Sequence, residues 1–563
     1  MAQLIRQDIA ALIRQGIRAA QAAGALPAFD LTEIPVERPK VAAHGDYSTG
    51  VSMGLARLAK IKPIEIAQRI VAHLPPADLL GKVEAVPPGY INFALADAWL
   101  AAQVETILAQ GEAWGSVDMG RGSRTQVEFV SANPNGPLHI GSARNAVIGD
   151  ALASVLQAAG YAIEREYYVN DAGSQVRRFG ESIWARYAQA LGQAAPFPEG
   201  GYLGEYITDL GQQLAAESGR RYLEMDQREA AHVIADRAME RMLKNIEADL
   251  ADLGIHFDTW RHERFFYEQG LFDRMLTMLR ERGHVVEYDD AVWFRHPDLD
   301  KDAVLIRSPK VIPEPSEQPT YLASDVAYLW DKLVERNFAR AIYVWGADHQ
   351  GDVPRVKMAA QALGLDPDRL IFILYQLVSL KRGGEEVRMS RRAGEFVTLR
   401  EVIDEVGSDA IRFMLLTRSA DSAMDFDLKL AAEQSSENPV YYVQYAHARI
   451  ASILKKAAAE GFGEQSGDVS LLVTPGDLAL IRKMLDLREI IAKCAADLSP
   501  HHLTHYAQEL AATFHAFYRD CRVVSSLPKD AEMTRARLKL VRAAKTVLAR
   551  TLHLMGMNAP ESM

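Results

Sequence analysis

His139 and Gly141 stand where the chain changes character, and the residues around them describe an anion site. The run VEFV at 127–130 is apolar and β-branched, which predicts a buried strand. The next seven residues, SANPNGP, are turn formers. From Leu138 a helical pattern takes over: Ile140, Val147, Ile148, Leu152, Val155 and Leu156 share one face, and Gly160 is a natural stop. A strand, a tight loop and a helix start aim backbone N–H groups and the positive end of the helix dipole at one place, where a phosphate can bind. Gly141 allows a ligand close to the backbone, and His139 can donate to a phosphate oxygen. By itself, a histidine in a first turn is more often a surface residue.

The rest of the chain must build the sheet and helices that hold this turn. Its 563 residues, 48% apolar, suffice for three or four domains. Residues 1 to 112 mix helices with a strand-like GYINF at 89–93. Residues from about 120 to 425 alternate strands and helices as a doubly wound sheet does, with strands predicted at 163–169, 341–345 and 370–378. Within them, 179–256 is rich in helical pattern. Residues 430 to 563 read as helices broken by a Gly-rich loop at 461–467.

Composition narrows the classes. No apolar stretch approaches the roughly 18 residues of a membrane span, so none is expected. The N-terminus is amphipathic, with Arg and Asp and no apolar signal core. Two cysteines, Cys494 and Cys521, lie too far apart for a local zinc motif, which suits a reducing, cytoplasmic setting. The net charge of −11 speaks against a nucleic-acid partner, but its distribution softens that. From Ala431 onward there are 16 Lys and Arg against 14 Asp and Glu, a balance of +2. Residues 535–550 hold six basic residues and no acidic one, read either as an RNA-backbone contact or as a solvated helix face.

Residues 137–142 (PLHIGS) resemble the HIGH signature of class I aminoacyl-tRNA synthetases, and Ser131-x-Asn133 ahead of them is typical of arginyl-tRNA synthetases. Far downstream, residues 387–394 (VRMSRRAG) resemble the KMSKR loop of the same class in its arginyl context. The resemblance covers nearly the whole chain. GYINF is similar to the N-terminal extra domain that contacts the tRNA elbow, FPEGGYLGEYI at 197–207 to the catalytic insertion, and ENPVYYVQYAHAR at 437–449 to the entry of the anticodon-binding domain. The implied fold is α/β. A Rossmann-type class I catalytic domain (120–425, helical insertion about 179–256) stands between an N-terminal α+β domain (1–112) and a C-terminal all-α anticodon-binding domain (430–563).

The resemblance also implies a reaction. The carboxylate of L-arginine attacks the α-phosphate of ATP, which carries Mg²⁺, giving arginyl-adenylate and pyrophosphate. The arginyl group then passes to the 3′-terminal ribose of tRNA(Arg). The protein has mainly to align groups and stabilise charge. By position in the motifs, His139 faces the α-phosphate, Gly141 makes room for the nucleotide, and Ser142 stands in the place of the second His. Ser390, Arg391 and Arg392, on a Gly-flanked loop, clamp pyrophosphate. Tyr321 and Asp325 match the Tyr-x-x-x-Asp that binds the arginine side chain, and at i, i+4 they share one helix face. Out of context Asp325 would read as a cap or a surface acid. Asn133 matches the Asn that holds the α-amino or carboxylate end. Asp348 and His349, in GADHQG after a predicted strand, line the ATP and arginine pocket, and Gln175, in NDAGSQ, reaches the substrate. No resident metal is implied. The family is monomeric by habit, usually needs bound tRNA for activation, and the short insertion argues against an editing domain.

Two departures keep other readings open. Ser142 lacks the charge of a second His, and Arg388 and Arg391 replace the two lysines of KMSKR. Gly136 stands where some arginyl enzymes place a compensating Lys, so Arg391 or Lys381 must serve. The alternatives are another class I synthetase, such as the cysteinyl or glutamyl type, or a non-catalytic synthetase-like binder of tRNA or arginine. If Arg391 holds pyrophosphate, Arg391→Lys keeps arginine activation and Arg391→Ala lowers it at least about tenfold. Pyrophosphate exchange measures both, and an unaffected Ala variant would transfer the role to another residue.

Overall fold

The computed structural model describes residues 4–30, 33–387, 397–463 and 467–563. The first helix, Ile5–Ala22, buries Ile5, Ile9, Ile13 and Ile17, whose spacing of four puts them on one stripe. That stripe packs on the helix Pro63–Ala72, which lies against a three-stranded antiparallel sheet of β1 (Tyr47–Thr49), β2 (Leu80–Val86) and β3 (Tyr90–Leu95), in the order β1-β3-β2. Helix Asp97–Gln110 leads out of it to Trp114, which is fully buried and donates its indole N–H to the carbonyl of Met484 at 3.2 Å.

The centre is a parallel sheet. Its first strands are β4 (Arg124–Glu128), β5 (Ala162–Val169) and β6 (Thr259–His262). A separate antiparallel meander follows, β7 (Val285–Tyr288), β8 (Ala291–Phe294) and β9 (Ala303–Ile306), then β10 (Arg340–Gly346) and β11 (Leu370–Tyr375) rejoin the centre. The order is β11-β10-β4-β5-β6, all parallel, so the winding reverses at β4. Ligands of such sheets bind beyond the carboxyl ends of the strands at the reversal, which is where the loop after β4 lies.

Helix Ile140–Ala158 follows that loop and is buried along most of its length. Its sequence shows why: Ala and Gly let it lie close on the sheet. A Cβ on Gly149 would fall 2.2 Å from Cγ of Phe129. Between β5 and β6 the helices Ser174–Ala190, Glu205–Ser218 and Gln227–Asp252 form an insertion with its own core around Phe179, Tyr187, Ile207 and Ile234.

Several expectations change. The β7–β9 meander interrupts the alternation of strands and helices. The strand expected over 370–378 is broken: β11 ends at Tyr375, and β12 (Val378–Arg382) joins a different sheet, in the order β13-β12-β14, with β13 (Glu385–Glu386) and β14 (Met424–Asp427). The break falls at Gln376 and Leu377, whose carbonyls accept from the buried guanidinium of Arg144. The long C-terminal helices are Pro439–Ala459, Pro475–Asp497, His502–Asp520 and Ala531–Leu554. On the last, the basic stripe is largely engaged within the protein: Arg535 pairs with Glu532, Arg537 with Asp477, Lys539 with Glu105 and Lys545 with Glu561. Among the described residues no helix is long and apolar enough to cross a membrane.

The contact at Gly149 yields a test. Neither the ring of Phe129 nor its strand can retreat within the core, so Gly149→Ala should destabilise by about 1–3 kcal/mol. The midpoint of urea unfolding should fall accordingly; an unchanged midpoint would contradict the close packing of this helix on β4.

Candidate active site

The loop after β4 begins under strain. Val130 and Ser131 both have positive φ, 65° and 43°, in a region that disfavours side chains and especially β-branched ones. Surrounding bonds hold them there. Val130 N donates to Asn145 Oδ1 at 2.7 Å, and Asn145 donates in turn to the carbonyl of Val344 at 2.8 Å. Ser131 Oγ accepts from Tyr168 N at 3.1 Å, and Tyr167 OH donates to the carbonyl of Ala132 at 2.7 Å. The turn is thereby tied to β5, β10 and the following helix at once.

His139 caps that helix. Its Nδ1 accepts from the N–H of Gly141 at 3.0 Å and lies 3.4 Å from that of Ser142. An accepting Nδ1 puts the ring proton on Nε2 in the neutral tautomer, so the outward edge of the ring is a donor. Gly141 serves this arrangement directly, because a Cβ there would lie 2.8 Å from His139 Cε1. The space Gly141 leaves is thus filled first by the imidazole. Leu399 N donates to the carbonyl of Leu138 at 2.8 Å, and His139 pairs with Thr398 in an antiparallel bridge. The chain leaving the downstream motif therefore returns beside His139. Ser390, Arg391 and Arg392 themselves lie outside the described residues. Lys381, the other candidate cation, is engaged: its Nζ donates to Asp425 at 2.7 Å.

A second group lies across the carboxyl edge. Asn133 Nδ2 donates to Gln175 Oε1 at 2.9 Å, Asn135 Nδ2 donates to the same oxygen at 3.2 Å, and Gln175 Nε2 donates to Tyr321 OH at 2.9 Å. Three residues singled out from separate stretches of sequence are thus one hydrogen-bonded chain. Tyr321 opens helix Tyr321–Trp330 and is half exposed, while Asp325 lies one turn on, facing inward. Asp325 is neither cap nor surface acid. Burial pushes its carboxyl up to about 8, and the carboxylates of Glu128 and Glu263 add to the rise against the opposing pull of Lys332.

Asp348 and His349 stand apart from this chain. They occupy the turn Ala347–His349 just after β10, exposed by 83% and 57%, with His349 Nδ1 3.5 Å from Asp352. They flank the sheet reversal but share no hydrogen bond with Asn133, Gln175 or Tyr321.

The sequence reading missed the residues that surround Asp325. Glu128 and Lys332 form a fully buried ion pair, with the ammonium over the rings of Tyr328 at 3.6 Å and Tyr343 at 3.7 Å. Glu263, just after β6, is buried and accepts from Ser324 Oγ, which also meets Tyr267 OH at 2.7 Å. Burial lifts Glu263 to about 7. Only Glu128 carried a local signal, as the one charged residue in the run VEFV that leads to the Ser131-x-Asn133 turn.

The chain is similar to known proteins over its full length. Three family profiles match: "Arginyl tRNA synthetase N terminal domain" over residues 5–95, "tRNA synthetases class I (R), catalytic domain" over 103–452, and "DALR anticodon binding domain" over 443–563. The arginine–tRNA ligase of Dehalococcoides mccartyi strain CBDB1 is 47% identical over 561 residues, covering 99% of each chain. That of Heliobacterium modesticaldum is 43% identical over 570 residues, covering 100% of this chain and 99% of its own. Among solved structures, the Thermus thermophilus arginyl-tRNA synthetase has the same fold, with a TM-score of 0.75 at 23% identity and full coverage of both chains. A Mycobacterium tuberculosis methionyl-tRNA synthetase bound by methionyl-adenylate reaches 0.51 at 14% identity, covering 77% of this chain and 90% of that one.

The state of Asp325 makes its pocket pH-dependent. With a carboxyl at about 8, the acid is mostly neutral at pH 6.5 and mostly ionised at pH 8.5. A guanidinium requires the ionised form, so the KM for arginine should fall by about 20-fold between those pH values. Asp325→Asn should raise the KM and flatten the profile. A wild-type profile already flat over this range would assign the charge to another group.

Proposed function

Because this chain belongs to the arginyl-tRNA synthetase family, and is therefore a class I, ATP-dependent arginine–tRNA ligase, we propose that the His139 turn and the Tyr321–Asp325 pocket are its nucleotide and amino-acid half-sites. The observation that carries this reading is the return of the chain, just beyond the second signature in sequence, to the first one, where Thr398 bridges to His139 and Leu399 N donates to the carbonyl of Leu138.

In this proposal the adenylate forms over the helix start. His139 donates through Nε2 to the α-phosphate, and the first-turn N–H groups with Ser142 add their positive potential. Ser390, Arg391 and Arg392 hold the leaving pyrophosphate. With Lys381 bound to Asp425, arginine rather than lysine does this work. Mg²⁺ enters with the triphosphate of ATP. Asn133 and Gln175 hold the α-amino and carboxylate ends of arginine, Tyr321 lines its side chain, and Asp325 receives the guanidinium. Asp348 and His349 act at the rim, on the nucleotide side.

The transfer step needs tRNA(Arg) along the whole molecule. We assign residues 1–112 to the tRNA elbow, 120–425 to catalysis and 430–563 to the anticodon. Supporting the last is a platform suited to base stacking: Tyr441 and Tyr445 stack with centroids 6.1 Å apart, and Arg449 lies 4.6 Å over Tyr445 and 5.7 Å from Tyr518. The enzyme acts as a monomer in the cytoplasm in this reading. The relatives give no support to a non-catalytic binder.

Arginine-dependent pyrophosphate exchange, run with and without tRNA(Arg) against all twenty amino acids, tests the assignment. Exchange with arginine alone, and only when tRNA is present, is the expected result. Binding of tRNA without exchange for any amino acid would sink it.

A further inference from the structure

Between Ser131 and His139, three backbone carbonyls accept hydrogen bonds from distant parts of the chain. Ala132 accepts from Tyr167 OH on β5, and Leu138 accepts from the N–H of Leu399 beyond the downstream motif. The middle one, Asn135, accepts from Tyr206 OH at 2.7 Å. Tyr206 belongs neither to the sheet nor to either signature. It stands in the first turn of Glu205–Ser218, the second helix of the insertion.

The side chain of Asn135 doubles the grip. Its Nδ2 has two protons and uses both, one toward Tyr202 OH at 2.8 Å and one toward Gln175 Oε1 at 3.2 Å. Tyr202 lies on the same insertion segment and packs edge-on against Phe179 of the insertion's core. Gln175 in turn receives Asn133 and gives to Tyr321. Asn135 thus ties the insertion to the hydrogen-bonded chain of the amino-acid side, and it stands four residues before His139 on the nucleotide side.

The sequence makes room for this contact from both sides. Ile207 is fully buried in the insertion's own core, whereas Tyr206 beside it reaches out to the turn. A Cβ on Gly204 would fall 2.4 Å from Tyr206 Cε1, and one on Gly136 would fall 3.2 Å from its hydroxyl oxygen. Two glycines far apart in sequence therefore leave space for one phenol. Pro134 and Pro137, on either side of Asn135, have no N–H to give, so the turn leans on bonds from outside.

We propose that Tyr206 is a positioning residue for adenylate formation: through the Asn135 carbonyl, the insertion sets the spacing between Asn133, on the arginine side, and His139, on the α-phosphate side. Attack of a carboxylate on phosphorus depends on alignment, and a misplacement of about 1 Å can cost about a hundredfold in rate. A bond from a unit with its own core fixes that alignment from outside the sheet. The inference rests on the assignment of Asn133 and His139 to the two half-sites.

The test is Tyr206→Phe in the full-length enzyme, with Tyr187→Phe and His139→Ala beside it. Arginine-dependent pyrophosphate exchange with tRNA(Arg) present gives kcat per active site and both KM values, and thermal unfolding gives stability. Tyr187 makes the comparable bond wholly inside the insertion, its OH donating to the carbonyl of Gly219 at 2.6 Å. Tyr206→Phe should lower kcat about tenfold, while the KM values for arginine and ATP change less than about threefold. Its melting temperature should stay within about 2 °C of the wild type. Tyr187→Phe should leave kcat within about twofold, whatever it costs in stability. An unchanged kcat in Tyr206→Phe, or an equal loss of kcat in Tyr187→Phe, would reduce the bond to a support of the insertion's fold and overturn the proposal. A loss carried by KM alone would place Tyr206 in ground-state binding and overturn it as well. If His139→Ala lowers exchange by more than about tenfold while Tyr206→Phe has no effect, only this inference falls; if neither has an effect, the assignment of the turn falls with it.

Discussion

Arg144 is fully buried without an ion-pair partner among the described residues, and it sits on the helix that begins at His139. Its guanidinium donates instead to carbonyls of two chain segments: Gln376 and Leu377 after β11, and Ser419 and Ser422 before β14. Two turns further on, Asp150 accepts from Arg412, which also donates to the carbonyls of Leu253 and Met555. A buried guanidinium stripped of its acceptors costs several kcal/mol. The end of the insertion, the approach to the downstream motif and the end of the last helix are therefore held to one helix. The position of the His139 turn follows from those buried bonds.

The same economy of buried charge shapes the amino-acid side of the site. The carboxyl edge of the sheet carries a dense set of acids, and Lys332, Arg336 and Arg264 neutralise most of them. Asp325 and Glu263 form no ion pair among the described residues, and burial raises both carboxyls, with nearby carboxylates adding to the rise. Carboxyls raised in this way are relieved by an approaching cation. In the proposed function such a pocket selects for charge before shape, so that a synthetase for a guanidinium amino acid rejects neutral ones without a second, editing site.

Much of this was legible in the chain. The turn formers from Ser131 and the helical pattern to Gly160 lead directly to the loop and the helix, whereas the strand expected over 127–130 ends at Glu128 and begins at Arg124, because Val130 already takes the positive φ of the loop. The i, i+4 spacing of Tyr321 and Asp325 does lie on one helix. Other features were not legible. Nothing local foretold that β11 would stop at Tyr375, because the cause is Arg144, distant in sequence. The basic stripe from Arg535 looked available for RNA, yet its partners Glu105 and Asp477 belong to other helices. Glu263 lies in a charged stretch, RHERFF, that reads as surface.

By itself, then, the sequence determined the alternation of helices and central strands, where the two signature motifs fall along the chain and which reaction class they resemble. Periodicity, turn chemistry and motif spacing are properties of neighbours along the chain. Only the tertiary structure decided which way the His139 ring is oriented, which cations are already engaged and which carboxylates remain without one. Those depend on burial and on partners hundreds of residues away, and a charge acquires its meaning only once its surroundings have excluded water.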